Sequence, residues 1–315
     1  MDKDEGPELS AHKGRNHESL GVRLFKPTPK RLNPTNASAR ELLMYGYPAR
    51  PDAQLHPTLH EQWKHVLSQP ISIIEPQFGL MAHKADRSHL RYGLPAGNGW
   101  SGGIVFTTKG DTVTFVSGQW SVPHPVSPKP GDCICAEWVG IDGANDDPNG
   151  NDSYDILQAG TTQMIVTTIV PLLFSFAWFE WFPAPPVAIT NLEVSPGDTM
   201  YCAICVYSPT EAGIHMLNVT TRVGTSFVKT APPNNQLVGN CAEWILEDPV
   251  SSNMNLARFG DVYFDNCVAG TLAGALLPGG TGRMLNMYDI NGHDISIPYA
   301  ENDVLIRVEY GDRSP

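Results

Sequence analysis

The sequence predicts an all-β protein: a two-sheet antiparallel β-sandwich preceded by a small, partly helical N-terminal segment. Three observations carry this reading. The 315 residues include 29 glycines and 27 prolines, too many helix breakers for a helical bundle. From Ile104 onward, apolar residues alternate with period two in a dozen or so short runs bounded by turn residues. No apolar stripe at helical spacing occurs beyond Trp100, so the strands are not linked by crossover helices into a parallel sheet.

The first elements are helical. Residues 1–37 are polar, contain proline and lack periodicity, so they read as a flexible arm. Ser38-Ala-Arg-Glu41 is a capping box before Leu42, and it predicts a short helix. Residues 58–69 predict a second helix, in which Leu59, Trp63, Val66 and Leu67 form one apolar stripe ending at Pro70. A stripe this short needs a partner surface, so it is expected to dock on the strand-rich domain C-terminal to it. A glycine-rich boundary separates residues 1–97, an arm and propeptide-like segment, from a sandwich domain over 98–315.

Alternation places the strands at 103–108, 111–122, 136–142, 155–158, 163–170, 172–182, 199–207, 216–221, 226–229, 242–247, 257–263, 284–289 and 303–310. Residues 164–182 are the most apolar stretch, but Thr167, Thr168, Pro171, Ser175 and Glu180 interrupt it, which fits two buried strands rather than a membrane span. Cys133 and Cys135 share a strand face and Cys202 and Cys205 do not. Buried or disulfide cysteines are expected, with no metal site.

Charge narrows the function. The net charge is −12, which disfavours a nucleic-acid partner. Residues 1–99 carry a net +3 and seven of the ten histidines, whereas residues 100–315 carry −15. The two parts should attract at neutral pH, and the attraction should fade as carboxylates protonate in acid. The N-terminus shows no apolar run of the secretory-signal type. No G-x-S-x-G, H-E-x-x-H, Asp-Thr/Ser-Gly or phosphate-binding loop is present, so chemistry must come from carboxylates, amides and aromatics.

Four strands break their own pattern with polar residues beside aromatics. Trp138, Gly140 and Asp142 share one face of their strand, and Gln158 sits in an apolar run. Glu180 lies among Trp178, Phe179, Trp181 and Phe182, and Glu243, Ile245 and Glu247 share a face. Solvent-facing positions explain any one of these; four together suggest a polar groove lined by aromatics. Such a groove suits a bound substrate, for example in a carbohydrate-active or carbohydrate-binding lectin-like module using Glu180 and Glu247 as a carboxylate pair.

These segments resemble the glutamic peptidases, or eqolisins. Trp138-Val-Gly-Ile-Asp-Gly143, Ile156-Leu-Gln-Ala-Gly160, Ala177-Trp-Phe-Glu-Trp-Phe-Pro183 and Ala242-Glu-Trp-Ile-Leu-Glu-Asp248 match the family's core motifs in order, over about residues 98–310. The resemblance implies a lectin-like (concanavalin A-like) sandwich and a catalytic pair of Gln158 and Glu247. It assigns Trp138, Asp142, Glu180 and Trp178 to supporting or substrate-binding positions. Phe179 and Phe182 stand where the family usually has tyrosines, and the cysteines do not match its disulfide positions. The implied reaction is acid endopeptidase hydrolysis of polypeptides by a monomer, without cofactor, metal, nucleic acid or membrane, in a secreted or acidic setting. On elementary chemistry, an ionised Glu247 of ordinary pKa near 4 would act as general base and the Gln158 amide would donate to the oxyanion.

Overall fold

The computed structural model describes residues 17–29, 32–81, 99–144, 147–150, 152–249, 254–289 and 291–311. In chain order the strands are β1 (Val22–Leu24), β2 (Ser72–Ile73), β3 (Phe78–Leu80), β4 (Trp100–Phe106), β5 (Val113–Ser121), β6 (Cys133–Ile141), β7 (Leu157–Val166), β8 (Leu172–Trp181), β9 (Val187–Ile189) and β10 (Thr199–Ser208). They continue with β11 (Glu211–Asn218), β12 (Val223–Thr230), β13 (Cys241–Glu247), β14 (Asn255–Leu256), β15 (Asp261–Thr271), β16 (Leu276–Pro278), β17 (Arg283–Leu285), β18 (Met287–Tyr288), β19 (Asp294–Asn302) and β20 (Leu305–Tyr310). Two helices, α1 (Ala39–Met44) and α2 (Pro57–Leu67), precede the sandwich.

One sheet has eleven strands, in the order β1-β12-β11-β10-β5-β15-β20-β19-β18, with β2 on β12 and β16 on β15. The other has nine, in the order β17-β4-β13-β6-β7-β8-β9-β3, with β14 on β6. All pairings are antiparallel except the short β2–β12 and β14–β6 contacts. Alternation gives each strand of the nine-stranded sheet an inner and an outer face. The inner residues Val139, Leu157, Ala159, Phe179, Trp181 and Trp244 pack against Val116, Trp120, Phe227 and Phe264 of the opposite sheet. Each large apolar side chain so buried contributes about 1.5–3 kcal/mol. The Trp244 indole also reaches across, donating to the Ser117 carbonyl at 2.8 Å.

The runs expected at 155–158 and 163–170 are one strand, β7. Gly160-Thr-Thr reads as a break, but Gly160 is a strand interior position pressed against β6. A Cβ there would lie 2.0 Å from the Glu137 carbonyl and 2.6 Å from Trp138 Cβ. Strands β1, β2, β3, β9, β14 and β16 are only two or three residues long, too short to show alternation, and β19 lies between the runs expected at 284–289 and 303–310. The strand expected at 257–263 begins instead at Asp261, after Gly260 at φ 70°. All six cysteines are free thiols.

The N-terminal segment is built as its stripe requires. Ser38 and Glu41 form the reciprocal cap on α1. Leu59, Trp63, Val66 and Leu67 are the buried residues of α2. Trp63, Val66 and Leu67 pack with Leu42 and Tyr47 against Tyr201, Ala203 and Leu217 on the outer face of the eleven-stranded sheet. Arg222 donates to the carbonyls of Val66 and Gln69, both at 2.8 Å, and so satisfies the C-terminal end of α2. Residues 22–24 are not loose: β1 pairs antiparallel with β12, because Val22 finds an open sheet edge and buries its side chain there. The segment thus contributes β1 and β2 to one sheet and β3 to the other. Residues 1–16 of the expected arm lie outside the described residues. Among the described residues no helix is long and apolar enough to cross a membrane.

Candidate active site

The outer face of the nine-stranded sheet carries the polar and aromatic residues that interrupt its strands. Register sets them in rows across the sheet. Glu243 pairs with Gly140, Gly140 with Gln158, and Gln158 with Glu180. The next row on the same face is Ile245, Trp138, Gly160 and Trp178, and the one beyond it is Glu247, Ala136, Thr162 and Phe176. Trp138, Gln158, Glu180, Trp178 and Glu247 therefore share one face, as the period-two reading required.

Trp138 is the centre of this arrangement. Its ring lies over Gly140, where an added Cβ would meet Trp138 Cζ3 at 2.9 Å. Its Nε1 donates to Glu247 Oε2 at 2.8 Å. Trp100, which pairs with Glu247 at the start of β4, packs edge-on against Trp138 with ring centroids 5.0 Å apart. Ile104, Ala136, Ile156, Trp178, Phe182 and Ile245 complete an apolar floor.

Two polar contacts define the chemistry. Gln158 Nε2 donates to Glu180 Oε2 at 2.6 Å. Gln158 Oε1 and Trp178 Nε1 are buried with no hydrogen-bond partner among the described residues. Burial pushes Glu180 up to about 8; the Gln158 hydrogen bond lowers it and the charge of Glu247 raises it further. Burial likewise lifts Glu247 to about 7, against hydrogen bonds from Trp138 and Trp100. The ordinary pKa near 4 expected for Glu247 is therefore corrected: a carboxyl seated among tryptophans loses the hydration that favours its charge.

Asp142 stands apart. It adopts φ 68° at the end of β6, a conformation that Asp tolerates. Its carboxyl accepts from the backbone N–H of Val238 at 2.6 Å and of Asn240 at 2.8 Å. It makes no hydrogen bond to Glu180 and instead clamps the end of β6 to the approach to β13. Burial still raises Asp142 to about 6.

Three groups have surroundings that the sequence does not reveal. Trp100 carried no signal beyond its glycine-rich surroundings. Glu243 was noted only as a carboxylate on the face; it is wholly buried, takes a 3.2 Å contact from Cys241 Sγ and is pushed well up by burial. Glu137 faces inward, between the sheets. Thr161 Oγ1 donates to it at 2.9 Å, and Trp120 Nε1 donates to Thr161 at 2.8 Å. With its amide nitrogen toward Glu137, Gln163 lies 2.7 and 2.9 Å from the two carboxyl oxygens. Its parity with the inward Val139 and Ile141 could have revealed it. Among the described residues no group of three or more His, Cys, Asp or Glu is placed to hold a metal ion.

The Peptidase A4 family model matches residues 98–310, about two thirds of the chain. The chain belongs to the Peptidase A4 family. It is a hydrolase, a glutamic-type endopeptidase, and the carbohydrate-module alternative is not favoured. Among curated Peptidase A4 relatives, aspergillopepsin-2 of Aspergillus niger is 22% identical over 240 residues, covering 64% of this chain and 77% of that protein. Scytalidopepsin B of Scytalidium lignicola is 27% identical over 158 residues, covering 50% of this chain and 54% of that protein. The crystal structure of scytalido-glutamic peptidase with a transition state analog inhibitor superposes with a TM-score of 0.56 at 22% identity, covering 68% of this chain and 98% of that one. SCP-B, an eqolisin in complex with the tripeptide Ala-Ile-His, gives 0.52 at 21% identity over the same shares. These likenesses show the β-sandwich fold.

Proposed function

We propose that this peptidase hydrolyses polypeptides in acid through Glu247 and Gln158, with Glu180 and Trp138 as positioning residues. The observation that carries the reading is the shared face on which Trp138 holds Glu247 and Glu180 holds Gln158. Unpartnered Gln158 Oε1 and Trp178 Nε1 add buried polar groups suited to a peptide main chain.

With a pKa of about 7, Glu247 rests in the neutral form throughout the acid range. It then acts first as an acid. Its proton passes to the scissile carbonyl oxygen as water adds to the carbon, and the water's proton returns to the carboxylate. The product of that step is a neutral gem-diol. Glu247 next protonates the leaving nitrogen and recovers a hydroxyl proton as the C–N bond breaks, releasing acid and amine.

Glu180 decides what Gln158 can offer. A neutral Glu180 accepts one Gln158 N–H at 2.6 Å, which holds the amide in place and leaves its second N–H and its oxygen for the reacting carbonyl and water. An ionised Glu180 instead sets a buried negative charge beside the developing oxyanion and opposes it. Activity is therefore present below about pH 7 and lost as pH rises through the two carboxyl pKa values. The test is hydrolysis of an unfolded polypeptide by Gln158→Ala, which should fold and lose about 10²–10³ in kcat; full activity would reject the pair.

We also propose that residues 1–97 act as a propeptide-like segment released by acid. His215 supports this. It sits buried on β11 beneath the segment, with Nδ1 2.9 Å from the Gly46 carbonyl and its ring stacked on Phe25 at 5.9 Å. Burial lowers its pKa to about 4, so protonation there opposes the packed state.

A further inference from the structure

The hairpin formed by β7 and β8 runs on past its neighbours. β9 covers β8 only at Ala177–Phe179, and β6 ends opposite Ile165. Among the described residues no strand pairs with the 172–176 stretch of β8 on the side away from β7. This free edge is also unusually apolar. Residues 156–179 contain no charged side chain. At the tip Ile169 is 104%, Val170 69%, Leu172 48% and Leu173 47% exposed. Soluble proteins usually blunt such an edge with charge, and here only Pro171 interrupts it.

The edge is continuous with the active-site face. Counting outward from Gln158 and Glu180, the same face presents Gly160 with Trp178, Thr162 with Phe176, Met164 with Phe174, and Val166 with Leu172. Phe176 is partly buried against the floor of the site, and Phe174, Met164 and Val166 are half-buried. At about 3.3 Å per residue, Leu172 lies about 26 Å from Glu180.

We propose that this hairpin end is a second substrate-docking site, which takes an apolar, extended stretch of the polypeptide being cleaved. The inference rests on the peptidase reading and adds to it. The substrate backbone pairs with the free 172–176 edge, while its side chains on the site face lie against Leu172 and Phe174 of the adjoining strand. The occupant is an unfolded chain because only an extended segment can both add to a strand edge and reach the site. A face that continues directly from Gln158 and Glu180 places the two contacts on one substrate. An anionic bilayer is disfavoured, since no Lys or Arg lies within 156–179.

The test uses the full chain and a short quenched peptide of about six residues. Longer versions carry a Val/Leu stretch starting about six to eight residues from the cleaved bond, on its N-terminal or C-terminal side, with Ser/Gly controls of equal length. One of the two apolar extensions should raise kcat/KM about tenfold over its control, through KM. Leu172→Lys, and separately the milder Val170→Ser/Leu172→Ser pair, should abolish that gain and leave short-peptide turnover within about twofold. Anisotropy of the labelled long peptides reads docking without turnover, so an inactive protein that still binds them selectively indicts the peptidase reading and not this site. Equal rates and equal binding for apolar and polar extensions would overturn the proposal. So would substitutions that leave long-peptide kinetics intact while abolishing self-association in sedimentation or binding to phosphatidylcholine vesicles.

Discussion

Replacing Glu180 with Gln separates its role as a hydrogen-bond partner from its role as a charge. In the native protein the carboxyl lies 2.6 Å from the Gln158 amide and is held neutral up to about pH 8 by burial. A glutamine side chain at position 180 has the same shape, accepts the Gln158 N–H through its amide oxygen as the carboxyl does, and cannot ionise. At about pH 5, Glu180→Gln should keep kcat within about threefold. Glu180→Ala leaves Gln158 unanchored beside a cavity. A neutral hydrogen bond is worth about 1–1.5 kcal/mol, so that variant should lose about tenfold in kcat. Above about pH 7 the order changes. Native activity falls with the ionisation of both Glu247 and Glu180, whereas Glu180→Gln falls with Glu247 alone and so shows a single-proton limb. Initial rates on a quenched peptide between about pH 3 and pH 9 give both limbs. If Glu180→Gln falls as far as Glu180→Ala at about pH 5, the orientation argument is wrong.

Trp138→Phe removes the 2.8 Å donor to Glu247 and should raise the Glu247 pKa by about one unit, moving the alkaline limb upward and lowering melting temperature. Glu137 is raised to about 8 from an ordinary 4.5, so the stability it contributes is present below pH 4.5 and lost as pH rises toward 8, a loss of roughly 5 kcal/mol. Urea midpoints should therefore fall between about pH 5 and pH 8.5, and less steeply in Glu137→Gln; a flat native profile would contradict this. His215 has the opposite sign: its pKa is depressed from 6.5 to about 4, so its contribution is present above pH 6.5 and lost as pH falls toward 4, by about 3 kcal/mol. Amide exchange in α1 and α2 should accelerate over that range in the native protein and less in His215→Phe.

The central strands and the site face were legible because alternation is a local signal. Trp138, Gln158, Glu180 and Glu247 fall on one face in any register that buries Val139, Leu157, Phe179 and Leu246 on the other. What alternation could not show was burial depth. Glu247 reads as an ordinary acid until Trp138 and Trp100 close over it, and that packing comes from strands distant in sequence. Asp142 reads as a groove residue by parity, but its left-handed backbone turns it to the amides of Val238 and Asn240. The short edge strands were illegible for a different reason: β1 and β3 exist because a sheet edge is open beside them, not because three residues prefer to be extended.

Glu247→Gln tests the central claim most directly. The substitution keeps an oxygen to accept from Trp138 Nε1 and removes only the transferable proton. Measured at about pH 5 on an unfolded polypeptide, with melting temperature tracked alongside, the account predicts a native-like fold and a loss of about 10²–10⁴ in kcat. A folded Glu247→Gln protein that cleaves the substrate at the native rate would contradict it.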